Sequence, residues 1–403
     1  MQFVEVTNKR TRRQFLELPK TLYVGDSNWT CLLDAEIESI FDPKHNNSFK
    51  SGDACRWILL NQDDKVIGRV AAFYSMKKAM NPNNGQRTGG IGFFECINNQ
   101  EAANKLFDMA RAWLVSKGMQ AMDGPINFGE NYVHWGLLVE GFMHQAYGMP
   151  YNFPYYKALF ENYGFQTYFD QYSYHVDLLK PFPERQEAFA RFVMRKPNYK
   201  WDHLHFANYK KYLKDAVEIY NSVWADFHED YTPIIYEEFE KVFMEVKPLL
   251  SEEFIVFAYD GERPIGMIIC FPDFNQVFKK LGNGKLHLLN KIKLFYYRKR
   301  SITRARQLVS GVIPEYQKVG IIGPMFLKMT DACKKHGITE LEMSWVGDYN
   351  ETVNKMYKQM ENATKAKTHT TYRYLFDRNL PFVRFTNQSS TKMQRTLGME
   401  KIN

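Results

Sequence analysis

Two stretches of this 403-residue chain spell out the same order of elements, and a repeat of that kind leaves few folds open. In the first, residues 55–60 read as a strand, Asp63-Asp64 as a turn, and residues 65–74 as the return strand, centred on Gly68-Arg69-Val70-Ala71-Ala72. In the second, 254–259, Asp260-Gly261 and 264–270 repeat that hairpin. The first half continues with a strand at 89–96 and an amphipathic helix at 99–117, whose apolar stripe is Ala103, Leu106, Phe107, Ala110 and Leu114. A strand at 119–122, a helix at 155–162 and a closing strand at 172–176 follow. The second half answers with strand 308–313, helix 324–336, strand 338–346, a helix opened by Asp348-Tyr349-Asn350, and strand 370–376. The expected class is α/β, more closely an α+β mixed sheet, with two similar domains in tandem and helices flanking each central sheet. The boundaries read as a first domain over 1–180, a linker over 181–199 carrying Pro181, Pro183 and Pro197, and a second domain over 200–379. A basic insertion spans 280–306, and 380–403 is a tail.

Composition removes several alternatives. With 45% hydrophobic and 16% aromatic residues the chain can build sizeable cores. No apolar run approaches the roughly 18 residues of a membrane span, and residues 1–20 lack a signal-peptide core. Cys31, Cys55, Cys96, Cys270 and Cys333 are odd in number and form no C-x-x-C pair. That pattern fits reduced thiols and argues against zinc or a disulfide framework, so a cytoplasmic protein with no metal is expected. The net charge, 53 − 45 = +8, suits an anionic cofactor, a membrane surface or nucleic acid alike.

The richest local signal is Val312-Ile313-Pro314-Glu315-Tyr316-Gln317-Lys318-Val319-Gly320-Ile321-Ile322-Gly323. A strand feeds a glycine loop at a helix N-terminus, where free N–H groups and the positive end of the helix dipole favour an anion. The order Pro-x-x-(Arg/Gln)-x-x-Gly-x resembles the pyrophosphate loop of the GNAT superfamily, the CoA-dependent N-acyltransferases. The next strand and helix add Asn350 and, seven residues on, Tyr357, on one helix face, again as in that superfamily. The resemblance covers most of the chain as a tandem arrangement, and its motifs are specific mainly over 305–376. It implies acetyl-CoA or a longer acyl-CoA as co-substrate, held by Val312, Ile313, Gln317, Lys318, Val319, Gly320, Ile321, Ile322, Gly323 and Asn350. It also implies Tyr357 as the acid that protonates the leaving thiolate, and an N–H near Val312 for the oxyanion. The chain departs from the pattern at Ile322, where Gly or Ala is usual, and at Glu361-Asn362, where Gly-Phe is usual. In the first half the loop Ile97-Asn98-Asn99-Gln100 has no glycine, and Phe160 stands where the Tyr would be. That half reads as degenerate and without acyl-CoA chemistry.

Glu342 is the candidate base, because a carboxylate alternating with Leu341 and Met343 in a central strand is costly to bury. The competing reading pairs it with Arg306 or Arg373. Glu315 and Asp348 are lesser candidates in turns.

Two further segments invite roles. Residues 123–156 are dense in Gly, Pro, Asn and aromatics, and Asn127, Asn131, His134, Trp135 and Glu140 are candidate substrate contacts, against a reading as ordinary loop packing. Residues 285–306 interleave Leu, Ile, Phe and Tyr with Lys and Arg. That reads as a peripheral contact with the inner face of a membrane, an acyl-chain flap, a nucleic-acid patch, or a solvated helix packing its Leu face. The function expected is acyl transfer from acyl-CoA to a small-molecule or lipid amine. The competing classes are a non-catalytic ligand-binding module and, ranked last, nucleic-acid binding through 291–306.

Overall fold

The computed structural model describes residues 1–79, 85–129, 133–224, 233–298, 300–360 and 362–386. The strands are β1 (Gln2–Glu5), β2 (Gly52–Leu60), β3 (Val66–Ser75), β4 (Thr88–Cys96), β5 (Ala121–Gly124), β6 (Leu137–Glu140), β7 (Gln166–Asp177), β8 (Tyr199–His203), β9 (Ile255–Asp260), β10 (Arg263–Pro272), β11 (Arg304–Val312), β12 (Glu340–Gly347) and β13 (Ala363–Leu375). The helices are α1 (Lys9–Leu22), α2 (Asp34–Ile40), α3 (Met76–Ala79), α4 (Gln100–Ser116), α5 (Tyr156–Tyr163), α6 (Glu184–Met194), α7 (Tyr209–Trp224), α8 (Tyr236–Val246), α9 (Asn275–Leu281), α10 (Leu288–Tyr297), α11 (Ile322–Lys335) and α12 (Glu351–Lys358). They gather into two compact units, one of Met1–Tyr172, Asn275–Arg300 and Lys367–Phe385, the other of Ser173–Phe274, Ser301–Ala366 and Thr386–Asn403.

In unit 1 the sheet runs β1-β2-β3-β4-β5-β13, with β6 also on β13. All its pairs are antiparallel except β4–β5. Helix α4 covers one face because its sequence allows it. The Asn99 side chain accepts the Ala102 N–H at 2.8 Å and starts the helix. Ala102, Ala103, Leu106, Phe107, Ala110 and Leu114 are then wholly buried along one stripe. They meet Phe94, Phe160 and Phe165 in the main core.

Unit 2 repeats the plan with the order β8-β9-β10-β11-β12. Its only parallel pair among the described ones is β11–β12. The β9–β10 turn uses Gly261 at φ +59°, a conformation that favours glycine. Val256, Phe257, Ile265, Ile268, Met325, Met329, Leu341 and Met343 are buried between sheet and helices.

Hairpins, central strands and flanking helices therefore fall where the sequence places them, within a few residues. The closing strands do not. Residues 370–376 were expected to close the second domain, yet Tyr372, Arg373, Tyr374 and Leu375 of β13 pair with Gly124, Asp123, Met122 and Ala121 of β5 in unit 1. Residues 172–176 were expected to close the first domain, yet from Ser173 onward β7 belongs to unit 2, beside β12. Each half lends its last strand to the other's sheet. A chemical tie holds β13 there: the buried Arg373 guanidinium meets a carboxylate of β5, with Nε and Nη2 donating to Asp123 Oδ1 and Oδ2 at 2.6 and 2.7 Å. Two other expected boundaries also move. The supposed linker 181–199 is folded into unit 2, with Ala190 and Val193 buried on α6. Most of the basic insertion, Asn275–Arg300, is counted with unit 1. Of the tail, residues 387–403 lie outside the described residues.

Breaking the Asp123–Arg373 pair tests this strand exchange. Arg373→Ala should cost about 3–5 kcal/mol in chemical denaturation, because it strands a buried carboxylate. The paired change Asp123→Leu with Arg373→Met should recover most of that loss. Additive losses in a double-mutant cycle would mean that the two strands are not partners.

Candidate active site

Both units contain a parallel strand pair that parts. In unit 2, β11 and β12 are in register only from Arg304↔Glu340 to Gln307↔Met343, although both strands continue. The parting coincides with a bulge, where Val309 and Gln307 oppose Ile269 and Cys270 and Leu308 is the extra residue. In unit 1, β4 and β5 pair only from Thr88↔Ala121 to Gly90↔Asp123. There too a bulge follows, with Phe93 and Phe94 against Val70 and with Phe93 at φ +52°.

In unit 2 the expected groups collect at the parting. Tyr357 is 4% exposed, and its hydroxyl accepts from Gln307 Nε2 at 3.3 Å. Burial raises its pKa, so it stays a proton-bearing phenol. The Tyr174 ring lies 5.0 Å away. Ile313 N–H is bound to the Ile265 carbonyl at 3.0 Å, so alternation along the strand turns the Val312 N–H to the opposite edge, where β12 has left. The Val312 carbonyl accepts from Gln317 Nε2 at 3.1 Å.

The expected pyrophosphate loop is glycine-shaped but covered. Gly320 has φ +83°, and α11 begins at Ile322. Lys318 is exposed, Val319 and Ile322 are half-buried, and Ile321 is buried. A Cβ on Gly320 would meet the Phe189 ring of α6 at 2.5 Å, and one on Gly323 would meet Ala190 at 3.5 Å. Helix α6 thus packs against the loop at Gly320, and Ile322 starts α11. Asn350 serves as the N-cap of α12, accepting the Val353 N–H at 3.2 Å. Glu361 lies outside the described residues.

Glu342 is wholly buried, in register with the equally buried Arg306, whose Nε donates to Ser344 Oγ at 2.8 Å. Of the two arginines weighed as its partner, Arg373 is committed to Asp123.

Unit 1 holds a half-open cavity of about 100 Å³ beside the β4 bulge. Its walls include Leu16, Trp29, Phe93, Ile126, His134 and Met149. His134, a candidate substrate contact, is a second non-glycine residue with positive φ, at +53°. Two such residues on one cavity point to function, since backbone strain collects at working sites. At its floor lies Glu95, in register with Arg69. Glu95 Oε2 accepts from the Tyr23 and Tyr156 hydroxyls at 2.9 and 2.7 Å, and Oε1 faces Arg69 Nη2 at 3.5 Å. Burial raises the Glu95 pKa and lowers that of Arg69. The other candidates on this loop are dispersed. Trp135 is buried against His369, Asn127 is buried, Glu140 accepts from the Thr368 hydroxyl at 2.8 Å, and Asn131 lies outside the described residues.

Sequence reasoning passed over Glu95, Arg69, Tyr23 and Tyr156. The signal was present in Gly-Phe-Phe-Glu-Cys, a carboxylate inside an apolar strand, the same pattern that singled out Glu342. Among the described residues one trio has metal-ligand chemistry, Asp202, His203 and His205. Its Asp202 is engaged by the Tyr212 hydroxyl at 2.7 Å and by His205.

Comparison with known proteins fixes the fold. A tandem GNAT protein from the clavulanic acid biosynthesis pathway superposes on 95% of this chain and 99% of its own, with a TM-score of 0.55 at 9% identity. The chain has the tandem GNAT fold. A GCN5-related glucosamine N-acetyltransferase region within a fungal multi-domain β-N-acetylglucosaminidase matches 93% of this chain with a TM-score of 0.56 at 12% identity, and the chain spans 38% of that longer protein. In sequence, the chain is 27% identical to Protein YghO of Escherichia coli K12, over 88% of this chain and 90% of that one. It is 24% identical to a bacterial ceramide synthase of Caulobacter vibrioides, over 92% of this chain and 97% of that one. No protein-family model matches the sequence. Among the described residues no helix is long and apolar enough to cross a membrane.

Near the cavity, burial pushes the Glu36 carboxyl up to about 7, and Tyr147 Oη donates to it at 3.4 Å. A folded pKa above the unfolded one means that stability is lost as pH rises from about 4.5 through 7. Glu36→Gln should therefore match the parent at pH 4 and exceed it by about 2 kcal/mol at pH 8, a figure reduced for half-burial. Melting curves across that range check this.

Proposed function

We propose that this protein is an N-acyltransferase that moves an acyl group from a CoA thioester to the amine of a lipid. The observation that carries the reading is the parted strand pair β11–β12 with the buried Tyr357 phenol at the point of parting, within a tandem GNAT fold. Full-length similarity to a bacterial ceramide synthase supports the choice of acceptor, since a ceramide is the amide of a fatty acid with a long-chain amino alcohol.

The reaction asks for few groups. The amine must lose a proton, the carbonyl oxygen must be stabilised as it becomes anionic, and the thiolate must be protonated. Tyr357, kept neutral by burial, is suited to the last task. An N–H at the open edge near Val312 is suited to the second. Unit 1 offers a separate candidate base in Glu95, which lines a pocket and whose pKa burial raises. The two centres lie in different units, and each is tested on its own. Tyr357→Phe should lower the rate of fatty-amide formation, measured by mass spectrometry with long-chain acyl-CoA and a long-chain amine, by about 100-fold or more while the protein stays folded, and Glu95→Gln is the matching test for unit 1. Loss in one variant alone assigns the chemistry to that unit. Unchanged rates in both would remove both residues from the mechanism.

A second reading rests on Phe189 against Gly320, which favours a ligand-binding module without turnover. Thermal shift separates the two. An acyltransferase should gain several degrees with one class of acyl-CoA, since a ligand bound only by the folded state raises the melting temperature. Phe189→Ala should enlarge that gain by uncovering the loop. No shift with any thioester, in either variant, would favour the binding module.

A further inference from the structure

Helix α10 is an outward-facing apolar helix in a wholly basic segment. Leu288 is 74% exposed, Leu289 66%, Ile292 58%, Phe295 62% and Tyr296 54%. The spacings 288, 292, 295 and 289, 292, 296 set these residues along one face of the helix. Monomeric proteins seldom leave that much contiguous apolar surface in water without a use for it. From residue 280 to 300 the sequence has seven Lys and Arg and no Asp or Glu, in a chain whose whole net charge is +8.

The helix is presented by a firm base. Asn290 is its buried residue, with Nδ2 donating to the Lys285 carbonyl at 2.7 Å and to Asn283 Oδ1 at 3.1 Å. Before it, Asn275, Val277, Phe278 and Leu281 of α9 are buried. Gly284 sits so tightly that a Cβ would meet the Leu32 carbonyl at 2.4 Å, and its own carbonyl accepts the Asp34 N–H at 2.8 Å. The exposed face is thus held out by a packed stem.

We infer that α10 docks this protein, lying flat, on the surface of an anionic lipid bilayer. Charge selects that occupant. Lys291 and Lys293 flank the apolar face and are exposed. The Arg298 and Arg300 guanidinium groups lie over the Phe295 and Tyr296 rings at 5.6 and 4.3 Å. Cations beside amphipathic rings suit the headgroup level, where phosphates meet the first methylenes. A ten-residue helix is about 15 Å long, too short to cross a bilayer and long enough to lie in its interface. A nucleic acid would be matched by the cations but would leave the five apolar residues against phosphate and water. An acidic protein groove would take the apolar face but not require a continuous anionic plane. The inference does not rest on acyl transfer. If both hold, the docked helix brings the protein to where a lipid amine resides.

The test is co-sedimentation of the full-length protein with vesicles of phosphatidylcholine alone and of phosphatidylcholine mixed with phosphatidylglycerol, at low and high salt. Binding should require phosphatidylglycerol and weaken with salt. The triple change Leu289→Ser, Ile292→Ser and Phe295→Ser, and separately Lys291→Glu with Lys293→Glu, should each lower binding at least tenfold. Their melting temperatures should be unchanged, because these side chains are exposed. Three results overturn the proposal. These are no binding to anionic vesicles, equal binding by the variants, or dimerisation that the serine changes abolish. Duplex binding that is lost with the lysine changes but not with the serine changes would assign the surface to nucleic acid instead. Turnover with a water-soluble short-chain amine, which needs no membrane, keeps failure here distinct from failure of the acyltransferase reading.

Discussion

The chemistry proposed for this protein depends on strand pairs that stop pairing. A parallel ladder normally uses every N–H and C=O along its length. Here β11 and β12 stay in register over four residue pairs and β4 and β5 over three, and then each pair separates. In unit 2 the separation turns the Val312 N–H to the vacated edge, where an incoming carbonyl would find it pre-oriented, whereas in unit 1 the Ile126 N–H still reaches the Ile91 carbonyl of β4 at 2.8 Å. A bulge lies at or just beyond the end of each paired stretch and re-aims the side chains around it. The same backbone event, made twice, has been furnished differently. In unit 2 it received a phenol and a glycine loop. In unit 1 it received a carboxyl, two phenols, a guanidinium and a cavity.

That difference in furnishing explains what could be read from sequence. Periodicity located the hairpins and the amphipathic helices, because Ala103, Leu106 and Phe107 or Val256 and Ile268 advertise a buried face locally. It could not assign the closing strands. Both β7 and β13 carry strand-forming residues, and which sheet each completes is decided by partners far away in sequence, such as Asp123 for Arg373. A family pattern marks Tyr357 and Gln317 by spacing, and the structure sets them against Gln307 and the Val312 carbonyl of β11. Glu95 was not, since its meaning lies in Tyr23, Arg69 and Tyr156, which reach it from three other segments. The cover over Gly320 was equally hidden, because a proline-bounded stretch looked like a linker and proved to be a packed helix.

The two units also divide the cost of buried charge unequally. Unit 1 keeps Glu95 and Arg69 in a network with the Tyr23 and Tyr156 hydroxyls and the Phe15 carbonyl, partners that make a buried ion pair more tolerable. Unit 2 keeps Glu342 and Arg306 within the sheet itself, across a single register position. The first arrangement borders a cavity and can respond to a guest. The second is enclosed and acts on the strands that carry it.

The exchange of closing strands bears on how the chain must be made. β5 is complete by residue 124, but the strand that covers its open edge ends at Leu375, some 250 residues later. On a ribosome adding residues one at a time, the first half therefore waits with an unpaired strand edge until β13 has emerged. An unpaired edge is the surface on which chains join wrongly. The arrangement that gives each half its last strand thus makes the synthesis of β13 the moment at which the first half can close its sheet.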